Sequence, residues 1–209
     1  MTLFRIFLLI ILIWLTTITS IYAEPKGQPD QLISPVQYDA MLSDPFFMSN
    51  EWSYPWWVVN HYDGYVETIE GDKIAENDSM HLKHTANCIT NQQYEHKIRF
   101  CEAELSNGTI ILYIHDFTAS TNDNLKIKIT NRLFQCQYWT TYVADRGDEG
   151  LIWVTKKQIL ILDKKEYKKG DTIKGKLEFE CLQEVTNPKY KGRYPHYIRI
   201  EGVFKTTVN

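Results

Sequence analysis

Thr109-Ile110-Ile111-Leu112-Tyr113-Ile114-His115-Asp116-Phe117 and, after the polar stretch Thr118 to Asn124, Leu125-Lys126-Ile127-Lys128-Ile129 decide the fold. The second segment alternates apolar and basic residues with a period of two, the pattern of a strand with one buried and one wet face. The first is preceded by Ser106-Asn107-Gly108 and, before that, by the extended run His96 to Leu105. Two apolar runs joined by Asn-Gly read as a β-hairpin.

Toward the C-terminus the same rhythm continues. Arg132 to Val143 reads as a strand, Ala144 to Gly150 as an acidic loop, and Leu151 to Leu162 as one long strand or two short ones broken near Lys156. Lys169-Gly170-Asp171 supplies a turn into Thr172 to Leu182, and His196 to Thr207 closes the chain. Gly175 and Gly202 fall inside strand patterns and are expected to mark bulges or bends. Toward the N-terminus, Trp52 to Val59 reads as the first strand, His61 to Gly64 as a turn, and Tyr65 to Ile69 as an extended segment. Residues 24–50 are rich in Pro and Gln, with one short helix expected from Ser34-Pro35 to Met41 and ended by Asp44-Pro45.

The expectation is an all-β fold, an antiparallel β-sandwich of eight or nine strands over residues 51–209, with 24–50 as a short irregular N-terminal arm. A small β-barrel is the alternative. The ending, Lys169 to Gly175 with Ile200-Glu201-Gly202-Val203-Phe204, resembles the last hairpin of small exported bacterial β-sandwich proteins. That resemblance covers the final quarter of the chain and implies a fold, not an activity.

Residues 1–23 carry Arg5, a ten-residue apolar core from Ile6 to Leu15, and small or polar residues up to Ala23. This is the build of a signal peptide cleaved before Glu24, and it places the mature chain in a secreted or periplasmic setting. An uncleaved N-terminal membrane anchor is the rival, although the strongly apolar run is half the ~20 residues a span needs. After cleavage no stable membrane insertion is expected. The net charge is −3, with 9 Lys and Arg against 19 Asp and Glu in residues 24–150, and 13 against 7 in 151–209. That balance argues against a nucleic-acid partner. The lysine pairs at 156–157, 164–165 and 168–169 read as solubilising strand ends.

Four cysteines in an exported chain imply two disulfides. The expected pairs are Cys88 with Cys101, by proximity, and Cys136 with Cys181, by strand alternation. No C-x-x-C pair supports zinc.

Aromatic residues crowd one stretch: Trp52, Tyr54, Trp56, Trp57, Tyr62 and Tyr65. They suit a recognition surface for a protein or glycan ligand, since aromatics bury large area and keep a polar handle. Adjacent strand residues point to opposite faces, so one of Trp56 and Trp57 is expected outside and the other in the core. Histidines also cluster, at His61, His81, His84, His96 and His115, where imidazoles are able to ligate a metal or serve a hydrolase. No H-E-x-x-H pattern, strained serine elbow or phosphate loop accompanies them, so no cofactor is expected and enzymatic activity is the lesser reading. Asp145 to Glu149 lacks the oxygen spacing of a calcium loop. It contains Arg146-Gly147-Asp148, which resembles an integrin-binding tripeptide. Asn77 and Asn107 sit in glycosylation sequons.

Overall fold

The computed structural model describes residues 32–60, 66–71, 81–91, 97–117, 121–142, 151–185 and 197–209. They form strands β1 (Ser34–Pro35), β2 (Gln37–Tyr38), β3 (Trp52–Ser53), β4 (Val58–Asn60), β5 (Val66–Thr68), β6 (Leu82–Lys83), β7 (Ala86–Thr90) and β8 (Lys97–Ile98). The long strands follow: β9 (Phe100–Ser106), β10 (Thr109–Phe117), β11 (Thr121–Thr130), β12 (Leu133–Tyr142), β13 (Leu151–Leu162), β14 (Thr172–Val185) and β15 (Tyr197–Thr207).

One sheet has the order β1-β12-β11-β10-β9, and the second β2-β13-β14-β15-β7-β8. Among the described residues the strands pair antiparallel apart from β2 against β13, and one isolated parallel bridge joins Ala103 to Val208. Neither sheet closes on itself, so the fold is the expected all-β sandwich and not the barrel. Alternation does the sorting. Leu112, Ile114, Leu125, Ile127, Phe134 and Cys136 of the first sheet and Leu160, Leu177, Phe179, Cys181, Ile200 and Phe204 of the second turn inward and are at most 1% exposed. The break expected near Lys156 is a β-bulge, where the β13–β14 register shifts between Thr155 and Lys157.

Several expectations need correction. The disulfides are absent: Cys88, Cys101, Cys136 and Cys181 are buried free thiols. The members of each expected pair stand on opposite sheets, Cys88 on β7 against Cys101 on β9, and Cys136 on β12 against Cys181 on β14. The two thiols of each pair face one another across the core closely enough that, beyond burial, Cys88 pushes up the Cys101 pKa and Cys181 that of Cys136, yet no S–S bond joins them. The thiols therefore act as small apolar side chains. Burial pushes Cys88 up to about 12 and Cys101, Cys136 and Cys181 up as well, so none presents a thiolate at neutral pH.

The helix expected from Ser34 to Met41 is also absent. β1 pairs with β12 and β2 with β13, so this segment stitches the edges of the two sheets, with Val36 buried between them. So short a segment does not repay helix nucleation when edge pairing is on offer. Asp44 instead caps a single 3-10 turn, Pro45–Met48, by accepting from Phe46 N at 2.9 Å. The glycines are not bulges in the β14–β15 ladder, whose register runs unbroken. A Cβ at Gly175 would sit 2.1 Å from the Phe204 ring, and one at Gly202 would sit 2.2 Å from the Asn87 carbonyl oxygen. Both glycines exist to let a neighbour in.

The two ends of the sandwich differ. At one, β9–β10 and β11–β12 turn tightly through Asn107-Gly108 and Asn131-Arg132, all four residues at positive φ. At the other, the connections 118–120, 143–150 and 186–196, which lie outside the described residues, join β10–β11, β12–β13 and β14–β15.

Candidate functional site

Buried polar side chains gather at the end opposite the two tight turns. Asp116, Asp123 and Thr140 are register neighbours across β10, β11 and β12 and are 1, 2 and 7% exposed. They continue the inward faces begun by Ile114, Leu125 and Tyr138. Arg99, where the chain passes from β8 in one sheet to β9 in the other, extends the row. Its Nε donates to Asp116 Oδ2 at 2.7 Å, its Nη2 to Oδ1 at 2.8 Å, and its backbone N–H to Oδ2 at 3.0 Å. The bidentate pairing raises the Arg99 pKa further and neutralises a buried carboxylate that alone would be costly. Asp123 accepts the Tyr138 hydroxyl at 2.7 Å, and the Tyr138 ring meets Trp153 edge-on at 4.9 Å.

Over this end lies a two-stranded ribbon, β3 paired with β6. Its alternation gives two faces. On the inward face, Ser53 Oγ lies 3.0 Å from His84 Nε2 and accepts from Arg99 Nη1 at 3.1 Å. His84 Nδ1 is 3.7 Å from Glu51 Oε2, and the ring is 13% exposed. Burial, and next the Arg99 charge, lower the His84 pKa, against a smaller pull from Glu51.

On the outward face, Trp52 is 48% exposed and stacks on His81 at 3.8 Å between centroids. Tyr54 meets Trp52 edge-on at 5.1 Å, and its hydroxyl is 3.4 Å from His81 Nε2. Sequence reasoning brought Trp52 and Tyr54 together; the structure adds His81.

Trp56 and Trp57 are both exposed and pack as a T at 5.8 Å. The expectation that one enters the core fails because they occupy a turn, closed by Val58 N–H donating to Pro55 O, and not a regular strand. His115 Nε2 lies 3.4 Å from Glu102 Oε1, its hydrogen bond lowers the Glu102 pKa, and its ring shares the Phe100 side chain with His84 as a neighbour, at 5.8 and 6.0 Å between centroids. Tyr62, Tyr65, His61 and His96 lie outside the described residues, as do Asn77 and Arg146-Gly147-Asp148. Asn107 is exposed in its turn. Among the described residues no three His, Cys, Asp or Glu side chains converge as a metal site.

The residues that sequence reasoning missed are Glu51, Ser53, Arg99, Asp116 and Asp123. A signal existed for two of them. Counting by twos from Ile114 reaches Asp116, and from Leu125 back reaches Asp123, so alternation carried one step past each apolar run points both carboxylates to the interior. No protein-family model, curated protein or solved structure matches the chain.

Proposed function

We propose that the protein is an exported β-sandwich binding module whose ligand docks on the outward face of the β3–β6 ribbon. The observation that carries this reading is the Trp52–His81–Tyr54 stack, in which a tryptophan stays 48% exposed although its ring is already held by two neighbours. A large aromatic fixed in place without being buried loses little freedom on binding, which favours ring-bearing ligands such as pyranose sugars or aromatic peptide side chains. The reverse of the ribbon is fastened through Ser53 to Arg99 and so to Asp116, which keeps the platform rigid. Export through residues 1–23 is part of the proposal, and N-terminal sequencing of natively produced protein tests it; a start near Glu24 is expected.

The binding experiment is a glycan array and peptide-library screen of the wild-type chain, followed by calorimetry of Trp52→Ala with any ligand found. Loss of binding of about tenfold or more, with an unchanged melting temperature, is the expected result. Equal affinity of the variant sinks the platform.

A further inference from the structure

Ser53 makes two contacts, and chemistry fixes the direction of the one with Arg99. Its Oγ is 3.1 Å from Arg99 Nη1 and 3.0 Å from His84 Nε2. A guanidinium has nothing to accept with, so Arg99 donates, and the serine proton is free to point at His84. Ser53 donates to Nε2 in the His84 tautomer protonated on Nδ1, the nitrogen 3.7 Å from the Glu51 carboxylate. A carboxylate on that side favours the same tautomer. Burial and the Arg99 charge lower the His84 pKa and so favour the neutral ring, whose unprotonated nitrogen is able to take a proton. Hydroxyl, imidazole and carboxylate thus stand in the order of nucleophile, base and orienting group. Ser53 is half-buried rather than sealed.

We propose that Ser53 is an acyl-transfer nucleophile acting on small carboxylic esters, with His84 as its general base, Arg99 as the cation beside the developing oxyanion, and Glu51 as a positioning residue. Ser53 Oγ bonds to the ester carbonyl carbon while its proton passes to His84 Nε2 and the carbonyl π pair moves onto oxygen. The tetrahedral adduct collapses, the C–O bond to the alcohol breaks, and His84 returns the proton to the leaving alkoxide. Water then adds to the acyl-serine with His84 taking its proton, the carboxylic acid departs, and the proton restores the Ser53 hydroxyl. This activity goes beyond the platform on the other face of the ribbon. The two readings fail separately, since Trp52→Ala leaves Ser53, His84, Arg99 and Glu51 in place.

The full chain is treated with a fluorophosphonate probe and the adduct mapped by mass spectrometry. In parallel, p-nitrophenyl acetate hydrolysis is measured for wild type, Ser53→Ala, His84→Gln and Glu51→Gln. The expected result is an adduct on Ser53, a loss of roughly 10²-fold or more in kcat/KM for Ser53→Ala and His84→Gln, and a lower kcat at unchanged KM for Glu51→Gln. Thermal melts accompany the variants, because both Ser53 and His84 also fasten the ribbon. The adduct on wild-type protein is read independently of any variant. Wild-type protein that carries no adduct on Ser53, or hydrolysis that persists at the wild-type rate in folded Ser53→Ala, overturns the proposal.

Discussion

The two ends of the sandwich are closed by different means. At the turn end backbone bonds tie the last residues to the turns, Leu105 N–H donating to Asn209 O, Asn209 N–H to Ala103 O, Gly170 N–H to Val208 O and Val208 N–H to Asp171 O, while in the β13–β14 connection Tyr167 donates to Asp163 and the Asp163 and Asp171 carboxylates accept from backbone N–H groups. At the polar end side chains do the closing, through Arg99 with Asp116, Tyr138 with Asp123, and Ser53 with His84. Backbone closure draws on groups every residue carries. Side-chain closure needs particular residues in particular places and brings titratable groups together out of water, which is where reactive or ligand-binding groups are expected.

The widest gap between the ends should appear in stability. Asp116→Ala leaves the Arg99 guanidinium partly buried without its carboxylate, and a cost of about 3–5 kcal/mol is expected, read from urea unfolding. The side chain of Asp116 is fully inaccessible while that of Arg99 is 29% exposed, so water recovers some of the loss and the lower part of that range applies. If Asp116→Ala unfolds at the wild-type midpoint, the polar end is not held by its side chains and the contrast collapses.

The same contrast explains what could be read in the sequence. Long strands announce themselves through alternation, and Leu125 to Ile129 needed nothing else to be assigned a wet and a dry face. Asn107-Gly108 was legible because its composition matches its backbone. Asn131-Arg132 was not, since arginine seldom takes φ 65° and nothing in its chemistry flags the turn. The polar end was harder still. Arg99 meets Asp116 across 17 residues and Ser53 across 46, and no periodicity links positions brought together by folding. The cysteine reading failed for a related reason: alternation showed that the thiols face inward but says nothing of whether two sulfurs bond across the core.

A smaller effect is expected where the backbone closes itself. Gly108 sits at φ 75° with nothing within 4 Å of the point where a Cβ would stand, so Gly108→Ala meets no clash and suffers only the left-handed backbone penalty, about 1–2 kcal/mol. Arg132→Gly should move the other way, because the arginine already bears that penalty at φ 65°. Thermal melts of the two variants check the pair. Stabilisation by Gly108→Ala, or no difference between them, would show that these turns are not what closes this end.

The smallest effect separates the ends by pH. The folded-state pKa of His84 is lowered by burial and by Arg99, with Glu51 and Asp116 opposing, so the unfolded chain binds more protons as the pH drops through the ordinary histidine range near 6.5. Stability contributed by neutral His84 is therefore complete above that range and is lost as the pH falls through the folded pKa. Glu102 and Glu178 have lowered pKa values too, through His115 and Lys157 respectively, and their contributions are lost only below the usual carboxylate range near 4.5. Between about pH 7 and pH 5 the wild-type melting temperature should thus decline with a component that His84→Gln removes. Gly108→Ala, altered at the opposite end, should keep the full wild-type slope. A His84→Gln slope equal to wild type over that window would mean that His84 is not held neutral by the fold, and the general-base role proposed for it would lose its footing along with the pH contrast between the ends.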